Sequence, residues 1–415
     1  MVAAGARAAE PLSPSSEPQA SQVSESAAQA AGPALTLSQA LALALDGNPG
    51  LRAARQALAA TEGAVLQSQA RPNPEIGYSQ EDTRRSTRTL TVQLNQTLEV
   101  GGKREARMRV AERGRDVARA ELASAEAALR ADVATAFFGL LAAQQRVVLA
   151  GQTLDIARSA REAAAKRVAA GKIAPLEETK ARVAESGALL EQSQAQSALR
   201  VARGQLRALW GERVQPFGEA EGEVDDLPEV PPLQALQQRI QEAPAILRAR
   251  QVLEQSRATA ELERARRLPD PTVSLGVKRA QEVGRNQLVV GISVPLPVLD
   301  SNRGNQLQAL RLADQAEEEL QAARVQLQAQ LFEARELLQA SRQQARQLAD
   351  EVLPAARSAY ELAARGFALG KFAYLDVLDA QRTWSEARVQ YLDRLLATHR
   401  AAADIDRLLG NSSGL

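Results

Sequence analysis

The stretch QTLEVGGKREAR, residues 96–107, sets a strand-like run, a Gly101-Gly102-Lys103 corner and a helix-like run in the order of a phosphate-binding loop. In such a loop, backbone N–H groups cradle phosphates and a hydroxyl after the lysine holds Mg²⁺. The spacing asks for a glycine at 97 and a hydroxyl at 104, where the chain has Thr97 and Arg104. Two of the four fixed positions fail, so the corner is expected to change the chain's direction rather than bind a nucleotide. Other chemistry is scarce. The chain has no cysteine, one histidine (His399) and, beyond Met1, one methionine (Met108), which leaves no thiolate and no soft or imidazole metal site. His399 is expected on the surface, late in a helix. No reactive constellation stands out, so no enzyme activity, cofactor or resident metal is expected. With 51 Lys+Arg against 50 Asp+Glu, the net charge of +1 gives no reason to expect a nucleic-acid partner.

The positioning elements are written in the proline spacing. None occurs between Pro74 and Pro175 or between Pro297 and Pro354, and Ala, Leu, Arg, Glu and Gln fill both gaps. Leu327, Leu331, Ala334, Leu338, Ser341, Ala345, Leu348 and Val352 alternate steps of four and three, a coiled-coil seam with small residues in it. Residues 103–170 read as one helix, roughly 100 Å long at about 1.5 Å per residue, which must line a rod or a tube. No run of about 18 apolar residues occurs, so no transmembrane helix is expected. Residues 1–35 are rich in Ala, Ser, Pro, Glu and Gln and read as a disordered segment without the apolar core of a signal peptide.

The chain is written twice. NPGLRAAR (48–55) matches APAILRAR (243–250), RPNP (71–74) matches LPDP (268–271), AAGKIAPL (169–176) matches ALGKFAYL (368–375), and RALWG (207–211) matches DRLLG (406–410). The offsets run from 195 to 199 in order, which predicts a structural duplication. The expected organisation is a disordered segment 1–35, a first repeat 36–211, a Pro/Gly/acidic linker 212–232, a second repeat 233–410 and a tail 411–415. Each repeat should hold a short helix, a longer helix, a strand pair and a long helical hairpin turning at Gly171 or Gly370.

Strands are expected at about 74–80 and 88–100, and at about 271–279 and 286–298. Leu90, Val92, Leu94, Leu98 and Val100 alternate with polar residues, broken only by Gln96, and Leu288, Val290, Ile292, Val294, Leu296 and Val298 repeat the pattern. A strand of about ten residues with one apolar face fits a tilted membrane-spanning β-strand; it also fits an amphipathic sheet packed on helices. Four strands cannot close a barrel, and open edges are not tolerated in lipid. Three copies would give about twelve strands, within the range of known barrels, and the same symmetry would let the long helices form a tube.

These hairpins, the long helices and above all ALGKFAYLDVLDAQR (368–382) resemble the TolC-type outer-membrane factors. LTLSQALALAL, NPGLRAAR, ARPNPEIG and LEVGGKREAR resemble most the outer-membrane component of cobalt–zinc–cadmium resistance efflux systems of the RND type, over about residues 35–410. The resemblance implies a mainly α fold with a small β part: a homotrimer with a 12-stranded barrel in the outer membrane of a Gram-negative bacterium, continued by a helical periplasmic tunnel. It implies a passive duct that docks by its tips on a periplasmic adaptor (membrane fusion protein) and a proton-driven inner-membrane pump. The tip turns match Gly171-Lys172 and Gly370-Lys371, and the aperture acids match Asp376, Asp379 and Glu177. A ring of such acids would favour cations. Phe367 and Phe372 stand where some members carry polar tip links, and the N-terminal lipid-bearing cysteine of many members has no counterpart. The strand-to-helix joints are expected at Gly101 and Gly102 and, in the second repeat, at Pro295 and Pro297 with Asp300 and Gly304.

Other readings compete. A factor for organic drug efflux or type I secretion would share all of these features. A soluble periplasmic coiled-coil adaptor would carry one helical hairpin within β-rich domains, not two tandem copies each with its own strand pair.

Overall fold

The structure is a computed structural model and describes residues 34–211 and 217–410. The expectations for residues 1–33, 212–216 and 411–415 lie outside the described residues. Leu35 is not part of a disordered segment: it is buried, its N–H donates to Glu219 O and its carbonyl accepts from Glu221 N–H, both at 2.9 Å.

The first half runs α1 (Leu37–Gly47), α2 (Pro49–Gln69), β1 (Glu75–Glu81), β2 (Thr89–Thr97), α3 (Lys103–Ala169) and α4 (Pro175–Ala208). The second runs α5 (Leu233–Arg239), a 3₁₀ turn (Ile240–Glu242), α6 (Pro244–Ala265), β3 (Thr272–Ala280), β4 (Arg285–Ser293), α7 (Arg303–Gln347), a π turn (Leu348–Val352), α8 (Leu353–Ala368) and α9 (Tyr374–Leu409). Local chemistry sets the starts. Thr36 and Gln39 form a reciprocal capping box on α1, and Asn48 Oδ1 accepts from Leu51 N–H ahead of Pro49 to open α2.

The protein is a helical rod with a four-stranded antiparallel sheet in the order β1-β2-β3-β4. α3, at 67 residues about 100 Å long, is the spine, and α2, α4, α6 and α9 pack along it. Its middle carries the main core: Val133, Phe137, Leu140 and Leu141 meet Leu206, Trp210 and Leu395. This stretch is long and apolar enough to pass for a membrane span, contrary to the sequence expectation, but half of it is buried inside the chain. The segment from Phe217 to Pro232 lies strapped across the helices. His399 Nε2 donates to Val224 O (2.8 Å), Tyr391 Oη to Asp225 Oδ1 (2.9 Å), and Arg335 Nε to Pro231 O (3.2 Å).

Two expectations are corrected here. His399 is buried rather than on the surface. It stacks on Phe138 at 3.7 Å between centroids, and burial holds its pKa below the usual histidine value. The seam predicted through Val352 is buried only from Leu327 to Ala345. The π turn inserts one residue into the helical period, just ahead of Pro354, and the buried positions resume at Ala356 and Ala363.

Candidate conduit site: sheet face, joints and helical tips

The sheet register places the apolar residues of all four strands on one face. Ile76 pairs with Leu94, which pairs with Leu275, which pairs with Val290; Tyr78, Val92, Val277 and Leu288 form the next row. Val273 and Ile292 extend the face. None of the described residues covers it: Ile76 is 79% exposed, and Leu288 and Ile292 are each 73% exposed. The opposite face carries Thr89, Thr91, Gln93, Asn95, Ser274, Lys278 and Gln287. Gly276 lies under Gln93, and a Cβ there would come within 2.6 Å of Val92 O. β1 and β4 form the sheet edges, with β1 paired only to β2 and β4 only to β3 among the described strands.

At the first joint Gly101 and Gly102 both have φ +74°, in the left-handed region that glycine adopts without a side-chain penalty. A Cβ on Gly101 would meet Leu268 Cδ1 at 2.6 Å. The lysine that mimics a phosphate ligand is already engaged: Lys103 is 9% exposed, with Nζ 2.7 Å from Asp270 Oδ1, which also accepts from Val100 N–H at 2.9 Å. Arg107 pairs with Glu99 and donates to Ser68 O and Ala70 O, tying the turn after β2, the end of α2 and the start of α3 into one corner.

The second joint differs from expectation. β4 ends at Ser293, not near 298, because Pro295 and Pro297 offer no N–H to a ladder. The bend itself falls on Asn302, at φ +55°, whose Nδ2 donates to Glu263 O (2.9 Å) and Glu263 Oε2 (2.8 Å). Its backbone N–H donates to Asp300 Oδ1 at 2.9 Å. Gly304, expected to share the bend, lies inside α7. A sequence reading that sought only Gly and Pro missed Asn302, although Asn is the other residue that enters the left-handed region readily.

The two tips end their helices in the same way. Gly171 (φ +66°) donates to Val168 O and Lys172 to Arg167 O; Gly370 (φ +74°) donates to Phe367 O and Lys371 to Gly366 O. Each is a Schellman close, with the glycine at the left-handed position. The tips also touch each other. Arg167 Nη2 donates to Phe367 O at 3.0 Å, and its guanidinium lies 3.9 Å from the centroid of the Phe367 ring. Phe367 in turn packs on Tyr374, with centroids 5.5 Å apart. Sequence reasoning missed Arg167 and Tyr374; Arg167, a basic residue in the last turn of α3, was the available signal.

The three expected acids are placed differently from one another. Asp376 and Asp379 are exposed near the start of α9. Asp376 Oδ2 accepts from Ala373 N–H at 2.9 Å and so caps the helix. Glu177 is partly buried in the first turn of α4, with Oε1 3.0 Å from Lys180 Nζ. Its charge, after burial, helps push the Tyr374 phenol up to about 12.

An open sheet with an uncovered apolar face, carried on helices some 100 Å long, is the design of a membrane conduit. The sequence profile of the family described as outer membrane efflux protein matches residues 40–212 and 235–411. The chain belongs to that family. It is 47% identical over 382 residues to the cobalt-zinc-cadmium resistance protein CzcC of Cupriavidus metallidurans, covering 92% of this chain and 91% of the relative. The nickel and cobalt resistance protein CnrC of the same organism is 30% identical over 298 residues, 70% of this chain and 69% of that one. Among solved structures, a membrane protein from Pseudomonas aeruginosa superposes with a TM-score of 0.79 at 20% identity, covering 90% of this chain and 92% of that one. The outer membrane protein VceC from Vibrio cholerae gives a TM-score of 0.75 at 17% identity, covering 90% and 96%. The structural likeness establishes the fold, and the expected family resemblance is borne out.

Proposed function

We propose that this chain is the outer-membrane duct of a tripartite efflux assembly that carries divalent metal cations such as cobalt, zinc and cadmium. The observation that carries the reading is the sheet, with an uncovered apolar face and two unpaired edges. In hydrocarbon an unpaired backbone edge costs several kcal/mol per group, so the edges must be joined. Copies joined β4 to β1 remove them, and three copies of four strands close a 12-stranded barrel. The long helices of the homotrimer then continue the barrel as a periplasmic tunnel. Similarity to CzcC over 92% of this chain supports the metal substrate. The repeats 36–211 and 233–410, joined through 212–232, are supported by the two separate family matches.

In this arrangement the turns at Gly171-Lys172 and Gly370-Lys371 meet the periplasmic adaptor, which links the duct to an inner-membrane RND-type pump. Asp376, Asp379 and Glu177 line the aperture, where the exposed pair on α9 lends negative potential to a cation path. Deleting the gene tests the function. Growth should fail at raised Zn²⁺, Co²⁺ or Cd²⁺ and return on complementation, whereas sensitivity to organic drugs alone would overturn the metal reading.

A further inference from the structure

The ladder alone is too short for the membrane it is meant to cross. On β4 the apolar residues run from Leu288 to Ile292, four residue steps, or about 13 Å along the strand and about 9 Å of membrane at a tilt near 45°. The apolar band of such a barrel is about 25 Å tall. On the hairpin-loop side the face ends within one row, because Leu90 of β2 there stands among Gln80, Arg279 and Asn286, which follow Tyr78, Val277 and Leu288 in register. On the helix side it continues beyond the hydrogen-bonded strands. Val294, Leu296 and Val298 keep the even spacing of Leu288, Val290 and Ile292, and Leu98 and Val100 keep that of Leu90, Val92 and Leu94. Leu296 is 79% exposed, Val298 82% and Leu299 103%, beyond any large apolar side chain of the helices.

Resting on the membrane-duct reading, we infer that the two joints, Leu98–Val100 and Val294–Leu299, are lipid-facing surface, and that acyl chains of the periplasmic leaflet cover them down to the first turns of α3 and α7. Counted from Leu90 to Val100, or from Leu288 to Val298, the band spans ten residue steps, at most about 33 Å along a fully extended chain and about 23 Å at the same tilt, and the tight Val298–Leu296 turn shortens the second. That upper bound comes close to the height of the hydrocarbon band. The backbone is suited to it. Pro295 and Pro297 have no N–H to leave unsatisfied, and Val298 N–H donates to Leu296 O at 2.9 Å. Leu98 N–H donates to Pro271 O and Val100 N–H to Asp270 Oδ1, both at 2.9 Å. Below the band Arg71, Arg267 and Arg303 are exposed where headgroup phosphates would lie, interspersed with the exposed acids Asp300 and Glu105. The prolines therefore end the ladder without ending the membrane surface.

The chain has no cysteine, so single-cysteine variants can be spin-labelled in the full-length protein reconstituted in phospholipid bilayers. Val290→Cys reports the strand face, Leu296→Cys and Val298→Cys the joint, and Glu318→Cys the exposed helix beyond it. Each is first checked to migrate as the wild-type oligomer. We expect 296 and 298 to match 290, with strong relaxation by oxygen and loss of relaxation by a water-soluble nickel chelate, while 318 does not. If 290 is lipid-like but 296 and 298 collide freely with nickel, the joint inference fails and the duct reading stands. Low access of both reagents at 296 and 298 would mean that a second copy covers them, which also overturns it. Nickel access at 290 as well would refute the duct reading itself.

Discussion

Leu275 sits at the centre of the apolar face, on β3 between Leu94 of β2 and Val290 of β4. It is 54% exposed within the chain, so about half its side chain awaits cover. Entry of that half into hydrocarbon contributes roughly 1 kcal/mol on a scale of about 1.5–3 for a whole side chain. Leu275→Arg should forfeit this and add the cost of a charge facing lipid, about 2–4 kcal/mol per chain near the midplane. A total loss of about 3–5 kcal/mol corresponds to roughly 140- to 4,000-fold in the folding equilibrium of each copy. Asn95→Arg is the matched control. Asn95 lies on the opposite, polar face, with Glu75 directly across from it on β1, where an arginine gains an opposite charge. The assay is urea unfolding of the protein in bilayers, read by the circular dichroism of the sheet and by survival of the oligomer on unheated gels. Leu275→Arg should lower the midpoint strongly and Asn95→Arg by less than about 1 kcal/mol. Equal effects would refute the assignment of the two faces, because a sheet lying in water has no reason to tell them apart.

Further outcomes follow from the joints, the strap and the tips. Gly101→Ala should cost about 1–2 kcal/mol for its left-handed backbone plus the clash with Leu268, whereas Gly304→Ala, inside α7, should be neutral or stabilising by about 1 kcal/mol; thermal melts separate them. Asp270→Ala should destabilise by about 2–3 kcal/mol, since it strands the buried Lys103 ammonium, and Lys103→Met in the same background should recover part of the loss. Burial lowers the pKa of His399 from 6.5, so its share of stability is full above pH 6.5 and is lost as pH falls through the folded value; His399→Gln should flatten that stretch of a pH–stability curve. Asp376→Asn with Asp379→Asn should lower the cation preference of single-channel currents, which reversal potentials under a salt gradient would report.

Much of this fold was legible because two periods dominate the chain. The alternation in TLTVQLNQT and the four-three steps from Leu327 to Ala345 each demand one element and one buried or uncovered face. The corner at Gly101-Gly102 was equally plain, since paired glycines before a helix have few other uses. What escaped depended on tertiary contacts. His399 follows Leu392 and Leu395 at helical steps on the buried side of α9, and the strap over it comes from 175 residues away. The π turn arises where Pro354 disturbs a seam whose sequence period runs on without a break. Arg167, which bonds Phe367 O, and Tyr374, which packs with Ala164 and Ala181, join the tips only because two hairpins, 200 residues apart in the chain, end side by side.

The most direct test of the closed barrel is to link its seam. Single cysteines at Tyr78 on β1 and, in turn, at Leu288, Val290 and Ile292 on β4 introduce the only thiols in the chain. The two strands stand at opposite edges of the sheet in one chain, with β2 and β3 between them. Oxidation in the native outer membrane should therefore join neighbouring copies in at least one register, giving a covalent species of three chains and none larger. Links confined to single chains, or a ladder of products running past three, would contradict a barrel closed by three copies.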